Sequence, residues 1–129
     1  MVIDTSAVVA ILTGEDGYAA LENALDSAAI RSMAVASVFE ASIVLENRFG
    51  DQGSHELDLM ISRLGIEVVP MNLDQLEWAR HAYRTYGKGR HKAGLNFGDC
   101  FAYALAKSRS EALLYQSGDF SQTDIGSAI

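Results

Sequence analysis

Four short apolar, β-prone segments recur along this chain, and stretches with helical periodicity separate each from the next. They cover residues 1–3, 30–36, 66–69 and 112–115. Strands joined through helices pair in parallel, because only an antiparallel pair can be closed by a tight hairpin. The expected fold is therefore an α/β sandwich with a mainly parallel sheet.

The intervening segments supply the helices. One is expected over 7–12, stopped by Thr13-Gly14. A second over 18–28 carries Tyr18, Leu21, Ala24, Leu25 and Ala28 on one face. A third over 37–48 carries Val38, Ala41 and Leu45, with Phe49 continuing the stripe. Gly50-Asp51-Gln52-Gly53 reads as a loop, followed by a helix over 54–64 that Gly65 ends as a left-handed cap. Pro70 stops the third strand. Asn72 and Gln75 form a capping-box pattern for a helix to about Tyr86, and the last helix spans 97–109 after a Gly- and base-rich loop.

At 129 residues and 49% hydrophobic content, the chain is expected to be one domain, 1–129, with a real core. A single Cys100 excludes an internal disulfide. No charged-then-apolar leader opens it, and no apolar run approaches the roughly 20 residues of a membrane span. These features lead us to expect a soluble, cytoplasmic protein without a membrane partner. A net charge of −7 argues against holding nucleic acid by bulk electrostatics. Five of the ten basic residues nevertheless fall in one stretch: Arg80, Arg84, Lys88, Arg90 and Lys92. They read either as a solvated helix face and loop, or as a local patch for phosphate or carboxylate.

Four acids stand where apolar elements end or begin: Asp4, Glu40, Asp99 and Asp119. Each has an ordinary role available. Asp4 can cap the first helix, Asp119 can make a turn, and Ser37-Val38-Phe39-Glu40 and Asn96-Phe97-Gly98-Asp99 both have capping-box form. All four can also reach the rim at the carboxyl ends of the strands, where ligands of such sheets bind. Two carboxylates about 4 Å apart repel by roughly 4 kcal/mol at an effective dielectric near 20. No Lys or Arg neighbours any of them in sequence, so a bound cation is the natural counter-charge. The donors are oxygens only, because His55, His81, His91 and Cys100 show no zinc spacing, and oxygen donors select Mg²⁺ or Mn²⁺. Such ions activate water and neutralise a transferring phosphoryl group. The chain has no G-x-x-x-x-G-K-[ST] phosphate loop and no G-x-S-x-G nucleophile elbow.

These pieces together resemble the PIN-domain ribonucleases, most closely the VapC-type toxins of bacterial toxin–antitoxin pairs. The resemblance is carried by Val2-Ile3-Asp4-Thr5-Ser6-Ala7, by residues 36–41, by residues 95–106, and by Leu113-Leu114-Tyr115 with Gly118-Asp119-Phe120. It implies a PIN-like α/β/α sandwich and a Mg²⁺- or Mn²⁺-dependent endoribonuclease, with metal-activated water leaving 5′-phosphate and 3′-hydroxyl ends. It places catalytic and metal-ligand roles on Asp4, Glu40, Asp99 and Asp119, the last often acting through water or on a second ion, with Thr5 or Ser6 orienting Asp4. It further implies a cognate antitoxin, a homodimer and a transfer- or ribosomal-RNA substrate; because a chain of net charge −7 cannot rely on its general field, the five basic residues are expected to guide that RNA at a single-stranded loop. Apolar residues Val8, Val9, Ile11, Leu12, Ile43, Val44 and Leu45 exceed one buried stripe and are candidates for an antitoxin groove or dimer face. The chain departs from the pattern at Gly118, preceded by Ser117, where relatives often carry Asn or Asp. Two rivals are a catalytically silent PIN-like binding module acting through its antitoxin, and a metal-dependent DNase or phosphatase on the same acids.

Overall fold

A computed structural model describes residues 1–116 and 118–129; Ser117, in the last acidic motif, lies outside the described residues. The elements run β1 (Val2–Ile3), α1 (Thr5–Thr13), α2 (Tyr18–Ser27), β2 (Ser32–Ala34), α3 (Val35–Phe49), α4 (Asp51–Leu64), β3 (Glu67–Val69), α5 (Leu73–Tyr86), α6 (Phe97–Arg109) and β4 (Leu113–Leu114), then a 3₁₀ turn (Asp119–Gln122). The strands form one parallel sheet in the order β3-β2-β1-β4.

The sheet separates two cores. Val2 and Leu113 enter one, with Ala82 of α5 and Ala102, Tyr103 and Leu105 of α6. Ile3 and Leu114, their chain neighbours, enter the other, with Ala7 and Val8 of α1, Leu21 and Leu25 of α2, Leu45 of α3 and Leu57 of α4. The switch follows from the two-residue period of a strand. Helices thus cover both faces, and the α/β/α layering expected from the resemblance is present. No helix among the described residues is long and apolar enough to cross a membrane.

Several local expectations need correction. Residues 50–53 are not a loop throughout, because α4 begins at Asp51 and takes in Gly53. A Cβ at position 53 would collide with the Leu45 carbonyl, so this glycine serves close packing of α4 on α3. The Ser37–Glu40 capping box does not form. Helix α3 starts earlier, at Val35, behind Ala34, and Ser37 lies inside its first turn with a buried, unpartnered Oγ. The Asn72 cap is half a box: Asn72 Oδ1 accepts from the Gln75 amide at 2.8 Å, but Gln75 Nε2 donates to the Pro70 carbonyl at 3.2 Å. Among the proposed surplus apolar residues, Val8 and Leu45 are core, whereas Ile43 and Val44 are exposed.

Candidate active site

Asp4 follows β1 directly and is fixed by its backbone. Its amide donates to the Leu114 carbonyl at 2.9 Å, tying it to the end of β4. Its side chain caps α1 by accepting from the Ser6 amide at 3.0 Å. The Ser6 hydroxyl donates a second, shorter bond to the same oxygen, at 2.6 Å, and itself accepts from the Gln116 amide at 3.0 Å. A chain of bonds therefore runs from the segment after β4, through Ser6, to Asp4. Thr5 does not share this side-chain role: its Oγ1 donates to the Ser37 carbonyl at 3.0 Å and joins α1 to α3.

Asp99 comes from the opposite direction, on the first turn of α6. There the capping box is complete: Asn96 Oδ1 accepts from the Asp99 amide at 2.9 Å and Asp99 Oδ2 accepts from the Asn96 amide at 3.0 Å. Capping and membership of an acid cluster are thus compatible, since a cap uses only part of a carboxylate's four lone-pair sites. Glu40 reaches in from α3, and Asp119 from the 3₁₀ turn after β4. Gly98 lets α6 approach Glu40, because a Cβ there would overlap the Glu40 carboxylate.

All four acids line one cleft of about 430 Å³, together with Ser6, Glu15, Asn96 and Gln116. Among the described residues no Lys or Arg lines it, and none of the four acids is ion-paired. The electrostatic consequence is visible in the acids themselves. Burial pushes the Asp99 carboxyl up to about 6, and the charges of Asp4, Asp119 and Glu40 push it in the same direction. Asp4 is also raised, first by burial and then by Glu40, against the opposing pull of its bonds from Ser6. Burial and like charge both disfavour the ionised form.

The donor set suits a hard divalent cation, which would relieve this unfavourable charge. Among the described residues no three His, Cys, Asp or Glu side chains already stand together so as to hold an ion. Gripping one therefore requires side chains to turn inward, and Asp119, exposed on its turn, has room to do so.

The basic stretch lies outside this cleft. Arg80, Arg84 and Lys88 border a second, larger groove between α5 and α6, while Arg90 stacks over the Tyr83 ring at 5.4 Å and Lys92 is exposed. Asn96 borders both clefts. The sequence pattern marks neither Gln116 nor the packing role of Gly98. Gln116 was findable by its place two residues beyond β4, at the strand-end rim; Gly98's close approach to Glu40 had no local signal.

The PIN domain family model matches residues 1–126. The chain is 51% identical over 125 residues to ribonuclease VapC30 of Mycobacterium tuberculosis, covering 97% of this chain and 95% of that protein. It is 52% identical over 125 residues to a ribonuclease VapC of Mycolicibacterium smegmatis, covering 97% of each. Among solved structures it resembles Mycobacterium tuberculosis VapC20, a toxin that cleaves the sarcin–ricin loop, with a TM-score of 0.77 at 17% identity over 96% of this chain and 95% of that one. A chain of a toxin–antitoxin complex from Klebsiella pneumoniae gives a TM-score of 0.71 at 14% identity, covering 95% of this chain and 92% of that one. A near full-length family match, high identity to VapC ribonucleases and the same three-layer fold agree: the chain belongs to the PIN domain family, with the VapC proteins.

Proposed function

We propose that the protein is a Mg²⁺- or Mn²⁺-dependent endoribonuclease, one PIN domain acting in the cytoplasm as the toxin of a toxin–antitoxin pair. The observation that carries this reading is the convergence of Asp4, Glu40, Asp99 and Asp119 on one cleft lined by no cation among the described residues. Identity to proteins named VapC ribonucleases supports the substrate class. Asp4 and Asp99 are the principal metal ligands in this reading, with Glu40 and Asp119 completing the set directly or through water. The ion, when bound, supplies water activation and charge neutralisation at the phosphoryl group.

The chain's own residues do the positioning. Ser6 holds one Asp4 oxygen and favours its charged form, leaving the other oxygen unclaimed by that bond. The Asn96 box fixes Asp99 at the mouth of α6, and Gly98 keeps Glu40 beside it. A homodimer and an antitoxin whose segment covers the cleft belong to the same reading. The complex found for the Klebsiella pneumoniae neighbour supports the antitoxin.

The deciding experiment incubates the purified chain with RNA, single-stranded DNA and a phosphomonoester, with and without Mn²⁺, beside Asp99→Asn. Mn²⁺-dependent RNA cleavage that Asp99→Asn abolishes is the expected result. Cleavage of DNA or the phosphomonoester alone would assign a different substrate. No turnover on any of the three, with antitoxin binding intact, would make the protein a silent binding module.

A further inference from the structure

The groove between α5 and α6 has about 780 Å³ of free space, within the roughly 300–1,000 Å³ of small-molecule sites. Its walls are apolar, with Leu76, Tyr83 and Phe101 among them, and its rim carries Arg80, Arg84 and Lys88. Phe97, at the end next to the acidic cleft, is 79% exposed and meets Phe101 edge to face at 4.9 Å. A phenyl ring so exposed contributes little to the core. It stands two residues from Asp99, and Asn96 beside it borders both cavities. The groove and the acids are therefore one continuous surface.

The charges say what this surface receives. Among the described residues Arg84 and Lys88 form no ion pair, and Arg80 is paired only at the exposed surface with Glu77 at 3.2 Å. The protein carries −7 overall, and the neighbouring cleft is acidic. A polyanion crossing the acids needs a cationic bank close by, and this rim provides it. A single-stranded nucleotide chain also brings flat bases, which stack on exposed aromatic rings with little regard to sequence. An apolar, aromatic groove with cations along its edge matches both halves of such a ligand.

We infer that this groove is a nucleotide-docking subsite of the acidic cleft: an unpaired base next to the scissile bond stacks on Phe97, and Arg84 and Lys88 hold the adjoining phosphate. The inference rests on the nuclease reading above and adds the position of the substrate. Phe97 is a positioning residue in this scheme, since it touches the base and not the reacting atoms.

The test measures binding of a fluorescein-labelled 12-nucleotide single-stranded RNA containing 2-aminopurine, in an Asp99→Asn background that does not turn it over. Phe97→Ala and Phe97→Leu should weaken binding about five- to hundredfold and lose the quenching of 2-aminopurine, while Phe97→Tyr keeps both. Melting temperatures should stay unchanged, since the ring is exposed. In the otherwise unaltered chain, Phe97→Ala should raise KM more than it lowers kcat. Equal affinity and quenching in Phe97→Ala overturns the inference. So does a Phe97→Leu protein that regains what Phe97→Ala lost, if light scattering shows that Phe97→Ala had turned a dimer into monomers; the groove would then hold a second copy. An unaltered chain that cleaves RNA, with Phe97→Ala doing so at the same KM and kcat, removes this inference alone. An unaltered chain that neither binds nor cleaves RNA, while Mn²⁺ still raises its melting temperature, removes the nuclease reading and this inference with it.

Discussion

Gly98 on α6 stands directly against the carboxylate of Glu40 on α3, and no side chain can occupy position 98 without displacing it. The two residues are far apart in sequence, and their contact brings the acids of two helices into one cleft. The atom that must yield is the free end of a flexible side chain rather than backbone.

Gly98→Ala should therefore separate activity from stability. Glu40 swings away at little cost, and alanine in a helix gains roughly 0.5–1 kcal/mol over glycine. We expect an unchanged or slightly raised melting temperature with RNA cleavage reduced tenfold or more. Gly53→Ala is the control, because its new Cβ meets the Leu45 backbone carbonyl. It should lose about 1–3 kcal/mol, as overpacked sites do, while the remaining folded protein keeps its activity. Paired thermal melts and cleavage assays check both.

Asp99 gives a pH dependence whose sign is fixed. Its carboxyl titrates near 6 in the folded chain against an ordinary 3.8, because of burial first and the neighbouring acids second. Between those pH values the folded state holds a proton that the unfolded state has lost. The stability of the metal-free protein should therefore fall as pH rises through this window. Asp99→Asn removes that slope. It should be more stable than the parent at pH 7 by about 1–2 kcal/mol, after discounting for solvent screening, and no more stable at pH 4. Denaturant titrations in EDTA across this range measure it; a mutant less stable at pH 7 would mean that the carboxylate acts mainly as a cap.

Ser6→Ala should act through Asp4. The lost hydroxyl donates to Asp4 at 2.6 Å and accepts from Gln116 at 3.0 Å. Without it the charged form of Asp4 loses support, and burial raises its pKa further. The acid limb of the pH–activity profile should move to higher pH, with activity down about tenfold or more at neutral pH, in line with the roughly 1.5–3 kcal/mol of a hydrogen bond to a charged group. An unshifted acid limb would remove Ser6 from this role.

Arg84→Ala with Lys88→Ala should weaken RNA binding and flatten its salt dependence. Each lost phosphate contact lowers the slope of log K against log salt by about 0.7 for a single strand. The double variant should lose roughly 1.4 in slope, while its melting-temperature response to Mn²⁺ is unchanged. Affinity measured between about 50 and 200 mM salt decides it.

How much was legible in the sequence depends on the range of each interaction. The strand–helix alternation, the parallel sheet and the span of α6 follow from local pattern. So does the Asn96–Asp99 capping box, whose partners are three residues apart and complete in the structure. The same pattern at Ser37–Glu40 misleads, because tertiary packing draws the helix start back to Val35 and buries Ser37. At Gly53 the composition of a loop conceals a helix, since what fixes the glycine is the approach of α3 and not its own neighbours.

The sequence by itself determined which residues carry charge and roughly where each stands along its element. It therefore specified four acids at strand ends and helix starts, and five cations in one stretch. Only the tertiary structure decided that the acids share one cleft while three of the cations, Arg80, Arg84 and Lys88, border another, joined at Asn96. The order β3-β2-β1-β4 sets the ends of β1 and β4 side by side, and two cores press α3 and α6 toward that rim. Periodicity and capping act over a few residues, whereas the distance between Asp4 and Asp99 is set by burial of surface along the whole chain.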